Sequence, residues 1–175
     1  MSMTVAALAP RALGVLVAGS VTLFLLTRGW PIGPWLLAGL LVAHGGLHLL
    51  FRFPAADPEA AAAGPEEPAP PGPYVLGRPW LTRALGLGPQ VERGLGTALI
   101  AIAVAGFGLG ALSTVGVVVP VGWWSGLVGT AAAASLLLLT LFPSPAFLVG
   151  YAIDLALLWL VLSSTWSPTA SLPVA

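Results

Sequence analysis

The sequence predicts an all-α integral membrane protein: a bundle of about five transmembrane helices, N-terminus cytoplasmic and C-terminus outside. Three observations carry this. Of 175 residues 58% are hydrophobic and only 7% are charged, whereas soluble domains carry around 25% charged residues. The apolar residues gather into five runs divided by proline, glycine and arginine. The arginines then fall almost entirely on one side of the threading that those runs impose.

The same composition removes several classes of function. The formal net charge is zero, so no basic patch speaks for nucleic acid. Cysteine is absent, which removes disulfides, thiolate metal sites and cysteine nucleophiles. All six positive side chains are arginine, so Schiff-base chemistry and a P-loop lysine are out. The richness in Ala, Gly, Pro and Arg fits a GC-rich bacterial genome, and hence the bacterial plasma membrane, but carries no function.

A span needs roughly 20 mostly apolar residues to cross about 30 Å of hydrocarbon. The first runs from Leu13 to Leu26 between Arg11 and Arg28. A charged start and short apolar core also suit a signal peptide, but no A-x-A-like site follows, so a retained helix is expected. The second runs from Pro34 to Phe51, with proline at its start, where a missing N–H costs least, and Pro54 beyond its end. Residues 1–53 thus hold two spans. From Pro54 to Pro73 the chain is rich in Pro, Ala and acid and has no bulky apolar residue. Such a segment builds no core and reads as a cytoplasmic linker.

The linker region extends through residues 54–90. In its last part Trp80, Leu81, Ala84 and Leu85 fall at helical spacing beside Arg78 and Arg83, which suits a short helix on the membrane surface or an irregular re-entry segment. Residues 91–175 hold three further spans: Leu95 to Val118, Trp124 to Phe142 and Ala146 to Ser163, with Pro120 and Pro143/Pro145 at tight connections. Small residues recur four apart at Gly106 and Gly110, then at Gly122, Gly126, Thr130 and Ala134. That spacing lets membrane helices approach closely.

Five crossings place Arg11, Arg52, Arg78, Arg83 and Arg93 on one side and Arg28 alone on the other. The arginine-rich side is the cytoplasmic one. Trp30, Trp35, Trp123, Trp124 and Trp166 gather at the opposite face, as an aromatic belt does, while Trp80 and Trp159 do not.

The chemistry lies in the few polar residues inside the apolar runs. At about 1.5 Å per residue, His44, Ser135 and Asp154 each lie roughly 12–13 Å from the cytoplasmic ends of their spans, so three helices contribute to one polar layer. His48 sits one turn nearer the cytoplasm and on the same face as His44, because i and i+4 align. A carboxylate at that depth costs about 2.5–3.5 kcal/mol on insertion scales, so Asp154 is expected to face the second span and bond His44 or Ser135.

The histidines admit three chemical readings beside simple packing. As H-x-x-x-H they suit one divalent metal on a single helix face, with Asp154 as third ligand. Either suits an axial haem ligand, with Gly45 and Gly46 leaving room for a porphyrin. A His–Asp pair also relays protons. Alternatively, neutral histidines simply hydrogen-bond across packed helices.

No G-x-S-x-G, phosphate-binding glycine loop or catalytic carboxylate pair occurs, so no enzyme activity is expected. The leading expectation is an accessory, assembly or scaffold subunit of a larger membrane complex, with lipid and other membrane subunits or further copies of itself as partners. The alternatives are transport of protons, ions or a small solute through the His44, Ser135 and Asp154 layer, and a haem- or metal-binding redox protein using His44 and His48.

Overall fold

Four long helices make up most of the described residues, and two stretches are long and apolar enough to cross a membrane: Pro89–Thr114 and Val121–Leu141. The computed structural model describes residues 32–53, 74–76, 80–163 and 168. The predicted first span, the linker from Pro54 to Pro73, Arg11, Arg28, Trp30, Arg78 and Trp166 lie outside the described residues.

Helix α1 spans Gly33–His48, with Pro34 in its first turn. Leu37, Leu41, His44 and His48 are buried along one stripe, while Trp35, Val42 and Leu49 are exposed on the others. The helix stops three residues before the expected Phe51. Leu49 N–H and Leu50 N–H tighten onto Gly46 O and Leu47 O at 3.1 and 3.0 Å, the 3₁₀-type closure that satisfies terminal carbonyls. Phe51–Arg52 (β1) then runs extended and pairs in parallel with Tyr74–Val75 (β2), Phe51 opposite Tyr74. The described residues on either side of segment 54–73 therefore lie side by side.

After a five-residue helix α2, Trp80–Ala84, whose Trp80 Nε1–H donates to Thr140 O at 2.7 Å, comes α3, Pro89–Thr114. It opens on Pro89 with Glu92 in the first turn, a favourable place for a carboxylate against the helix dipole. Its 26 residues give about 39 Å of length. It begins earlier than the predicted Leu95 and ends earlier than Val118. Gly116, at φ 70°, ends it: Gly116 N–H bonds Ser113 O at 3.2 Å and Val117 N–H bonds Leu112 O at 3.0 Å, the paired bonds of a Schellman motif. Val118, at φ 65°, completes the reversal in a turn closed by Val119 N–H to Val117 O at 2.7 Å. Gly116→Ala places a Cβ in the left-handed region and should cost about 1–2 kcal/mol, read as a lower unfolding midpoint in detergent.

A 3₁₀ turn, Val121–Trp123, leads into α4, Trp124–Leu141, and a second, Pro145–Phe147, leads into α5, Leu148–Leu162. Ser144 Oγ accepts from Ala146 N–H at 3.4 Å to cap that turn. Helix α3 packs between α1 and α4, and α5 packs on α4. The α3–α4 seam is close because of two glycines. A Cβ on Gly106 would lie 2.8 Å from Ala131 Cβ, and one on Gly110 would lie 2.7 Å from Val128 Cγ2. Ala134 is buried in the core. Gly122, Gly126 and Thr130 instead lie exposed on α4 and the turn before it, and a Cβ at either glycine would meet nothing within 4 Å.

The apolar interior forms two clusters. One gathers Leu37, Leu41, Phe107, Trp124, Val128 and Leu157. The other gathers Leu76, Leu99, Leu138, Leu139, Phe142 and Phe147 near the linker ends. The buried polar side chains of α1, α4 and α5 lie at the seam between them.

Candidate functional site: a buried His–Asp–Ser–His chain

Three helices contribute one side chain or two each, and the reason is stripe geometry. On α1 the spacing of four puts His44 and His48 on the buried stripe that continues Leu37 and Leu41. Ser135 follows Ala131 one turn later on the buried face of α4, and Asp154 precedes Leu157 on that of α5. All four polar residues are 0–3% exposed.

Their contacts form an unbroken line. His44 Nε2 lies 2.8 Å from Asp154 Oδ1. Ser135 Oγ lies 2.5 Å from Asp154 Oδ2. His48 Nε2 lies 2.8 Å from Ser135 Oγ, and His48 Nδ1 donates to the carbonyl of His44 at 3.0 Å. The two imidazole rings are perpendicular, with centroids 5.3 Å apart. Phe107 of α3 packs edge-on to His44 at 5.0 Å and lies 6.1 Å from His48.

Hydrogen-bond inventory restricts where the protons sit. A carbonyl only accepts, so His48 Nδ1 carries a proton. The serine has one O–H for two neighbours. Either Ser135 donates to an ionised Asp154 and accepts from a doubly protonated His48, or a protonated Asp154 donates to Ser135, which donates to the bare Nε2 of His48. Both placements satisfy every contact and contain the same number of protons. They differ by two short hops through the serine hydroxyl, which is the local requirement for a proton relay. With one proton fewer, two lone pairs would face each other across a contact of 2.5 or 2.8 Å.

The linker end of this chain is covered by aromatic rings. Phe51 lies 5.0 Å from His48, and Phe147 and Tyr74 lie 4.9 and 6.2 Å from Phe51. Partial burial holds the Tyr74 phenol above its ordinary value, so the cap carries no charge at neutral pH.

The structure therefore brings together His44, Ser135 and Asp154, which depth had placed in one layer, and adds His48 through the serine. Asp154 bonds both of its expected partners. Phe107 was not legible, being one apolar residue among many; its only signal is Gly45 opposite, where a Cβ would lie 3.0 Å from Phe107 Cβ. The room beside Gly45 is thus filled by that ring, while nothing lies within 4 Å at Gly46. Among the described residues no group of three or more His, Cys, Asp or Glu is arranged to hold a metal ion. No protein-family model matches the chain, and neither does any curated protein or solved structure.

Ser135→Ala tests the line at its middle. It strips a partner from both His48 Nε2 and Asp154 Oδ2 and should cost about 1–3 kcal/mol, measured by denaturant titration in mild detergent. Ser135→Thr retains the hydroxyl and should recover most of the loss.

Proposed function

We propose that this chain is a multi-pass protein of the bacterial plasma membrane that takes up protons and hands them on through the buried line His44–Asp154–Ser135–His48. In this reading it crosses the bilayer five times, with the arginine-rich side and the linker in the cytoplasm. One observation carries the proposal: two proton placements satisfy the same four hydrogen bonds, and a serine hydroxyl connects them. Intramembrane carboxylates and histidines that face a bundle interior are the usual material of such relays. Purified protein in phosphatidylcholine–phosphatidylglycerol vesicles, under an imposed pH gradient, should carry proton flux above that of empty vesicles. Flux equal to empty vesicles would overturn the proposal.

A second reading concerns assembly. Gly106 and Gly110 are used inside the bundle, whereas Gly122, Gly126 and Thr130 present a small-residue face that no described residue covers. Faces of this kind seat another membrane helix, so the chain acts as a subunit with other membrane proteins or with its own copies. Recovery as a lone monomer in several mild detergents would count against this.

A further inference from the structure

The buried line has two unlike ends. At His48, the Nδ1 proton is bound to a carbonyl of its own helix, and Phe51, Phe147 and Tyr74 stack outward from the ring. At His44, Nε2 is engaged by Asp154, while Nδ1 is buried and has no hydrogen-bond partner among the described residues. The ring itself is 3% exposed. A buried ring nitrogen without a partner is an expensive feature, and one water molecule is the smallest group that supplies what it lacks.

We infer that His44 Nδ1 is a docking site for a single water molecule and the point at which the buried line takes up its proton. The inference rests on the relay reading for the proton's onward path, but the docking site is defined by His44 alone. With Nε2 donating its proton to Asp154, Nδ1 holds a lone pair and accepts from the water. When that water arrives as hydronium, its O–H bond breaks, an N–H bond forms at Nδ1, and neutral water and an imidazolium remain. In the placement with Asp154 ionised, the Nε2 proton then moves to Asp154 Oδ1, leaving a neutral His44 protonated at Nδ1 and a neutral carboxyl.

The neighbours of His44 permit this exchange. The titratable groups that face it are His48 on its own helix, 5.3 Å away between centroids, and Asp154 on α5. Helix α3 presents Phe107, and α4 presents Ser135 behind the carboxylate. Neither carries charge. The paired linker ends present Tyr74 to Phe51, not to His44. The two ends therefore differ in free hydrogen-bonding capacity: His44 Nδ1 has no partner among the described residues, while His48 Nδ1 is bound to a carbonyl.

The chain has two histidines, so ¹⁵N-histidine labelling gives a spectrum of two rings. In phosphatidylcholine–phosphatidylglycerol vesicles, water magnetisation should reach His44 Nδ1 and fail to reach His48. Transfer to His48 alone, or to neither ring, would overturn the inference. His44→Gln supplies the second arm, because the glutamine amide retains an N–H for Asp154 but has nothing in place of Nδ1. It should remain folded and drop vesicle flux to the level of empty vesicles. Wild-type flux in that variant would also overturn the inference, leaving only a shorter relay through Asp154, Ser135 and His48. Water contact at His44 without any flux in the wild type would instead remove the relay and keep the docking site.

Discussion

Asp154→Asn is expected to bring proton flux in reconstituted vesicles down to the level of empty ones while leaving the bundle folded. The argument is one of shape and inventory. The asparagine carbonyl takes the place of Oδ1 and accepts from His44 Nε2, and its amide takes the place of Oδ2 and donates to Ser135 Oγ. The serine then donates to His48 Nε2, and His48 Nδ1 keeps its carbonyl. Every contact of the protonated carboxyl is reproduced, so stability should stay within about 1 kcal/mol of the wild type, in line with the average of about 0.6 kcal/mol for polar interactions between membrane helices. What is lost is the titratable group: an amide neither gains nor releases a proton in this range. Unchanged flux in the Asp154→Asn variant would mean that protons pass elsewhere. A collapse of stability would mean that the carboxylate is held by something other than these partners.

Gly106→Leu carries the largest effect on the fold. The Cβ alone would stand 2.8 Å from Ala131 Cβ and 3.2 Å from Leu127 O. The second of these is backbone and has no rotamer through which to yield. Helices α3 and α4 must separate, and with them the seam on which Ser135 is aligned. A loss of about 3 kcal/mol or more is expected, at the upper end for overpacked sites. Gly108→Leu on the same helix is the control, since nothing lies within 4 Å of its Cβ position. It should fall within about 0.5 kcal/mol of wild type. Equal effects at the two positions would show that helix propensity, and not close approach, governs this seam.

How much of this was legible in the residues depended on the kind of signal. Depth counting needs only the rise per residue, so it brought His44, Ser135 and Asp154 to one layer from three different spans. Its resolution is about one helical turn, or 5.4 Å, so it set His48 apart when the reach of the Ser135 side chain in fact joins it. The polar network was therefore visible in its members and not in its order. Gly116 was a readable stop signal for α3, but the valines after it extended the apolar run and masked it. Leu49 and Leu50 did the same at the end of α1, where the helix closes on its own carbonyls with no proline or glycine to mark the place. The pairing of Phe51–Arg52 with Tyr74–Val75 carried no signal, since two residues show no alternation and the whole linker separates them. Among the small residues, identical four-residue spacing described Gly106 and Gly110, which meet α4, and Gly122 and Gly126, which meet nothing described. Spacing says which positions share a face and leaves open which face is used.

The placement of protons on the two imidazoles tests the central claim most directly, because the line of four contacts requires two unlike rings. One-bond ¹⁵N–¹H spectra of histidine-labelled protein in vesicles report which nitrogen of each ring carries hydrogen. The account predicts His48 protonated at Nδ1, toward the His44 carbonyl, and His44 protonated at Nε2, toward Asp154. A His48 ring with bare Nδ1, or a His44 ring with bare Nε2 beside an ionised Asp154, would contradict it, because the line would then be broken at that contact and no proton could pass along it.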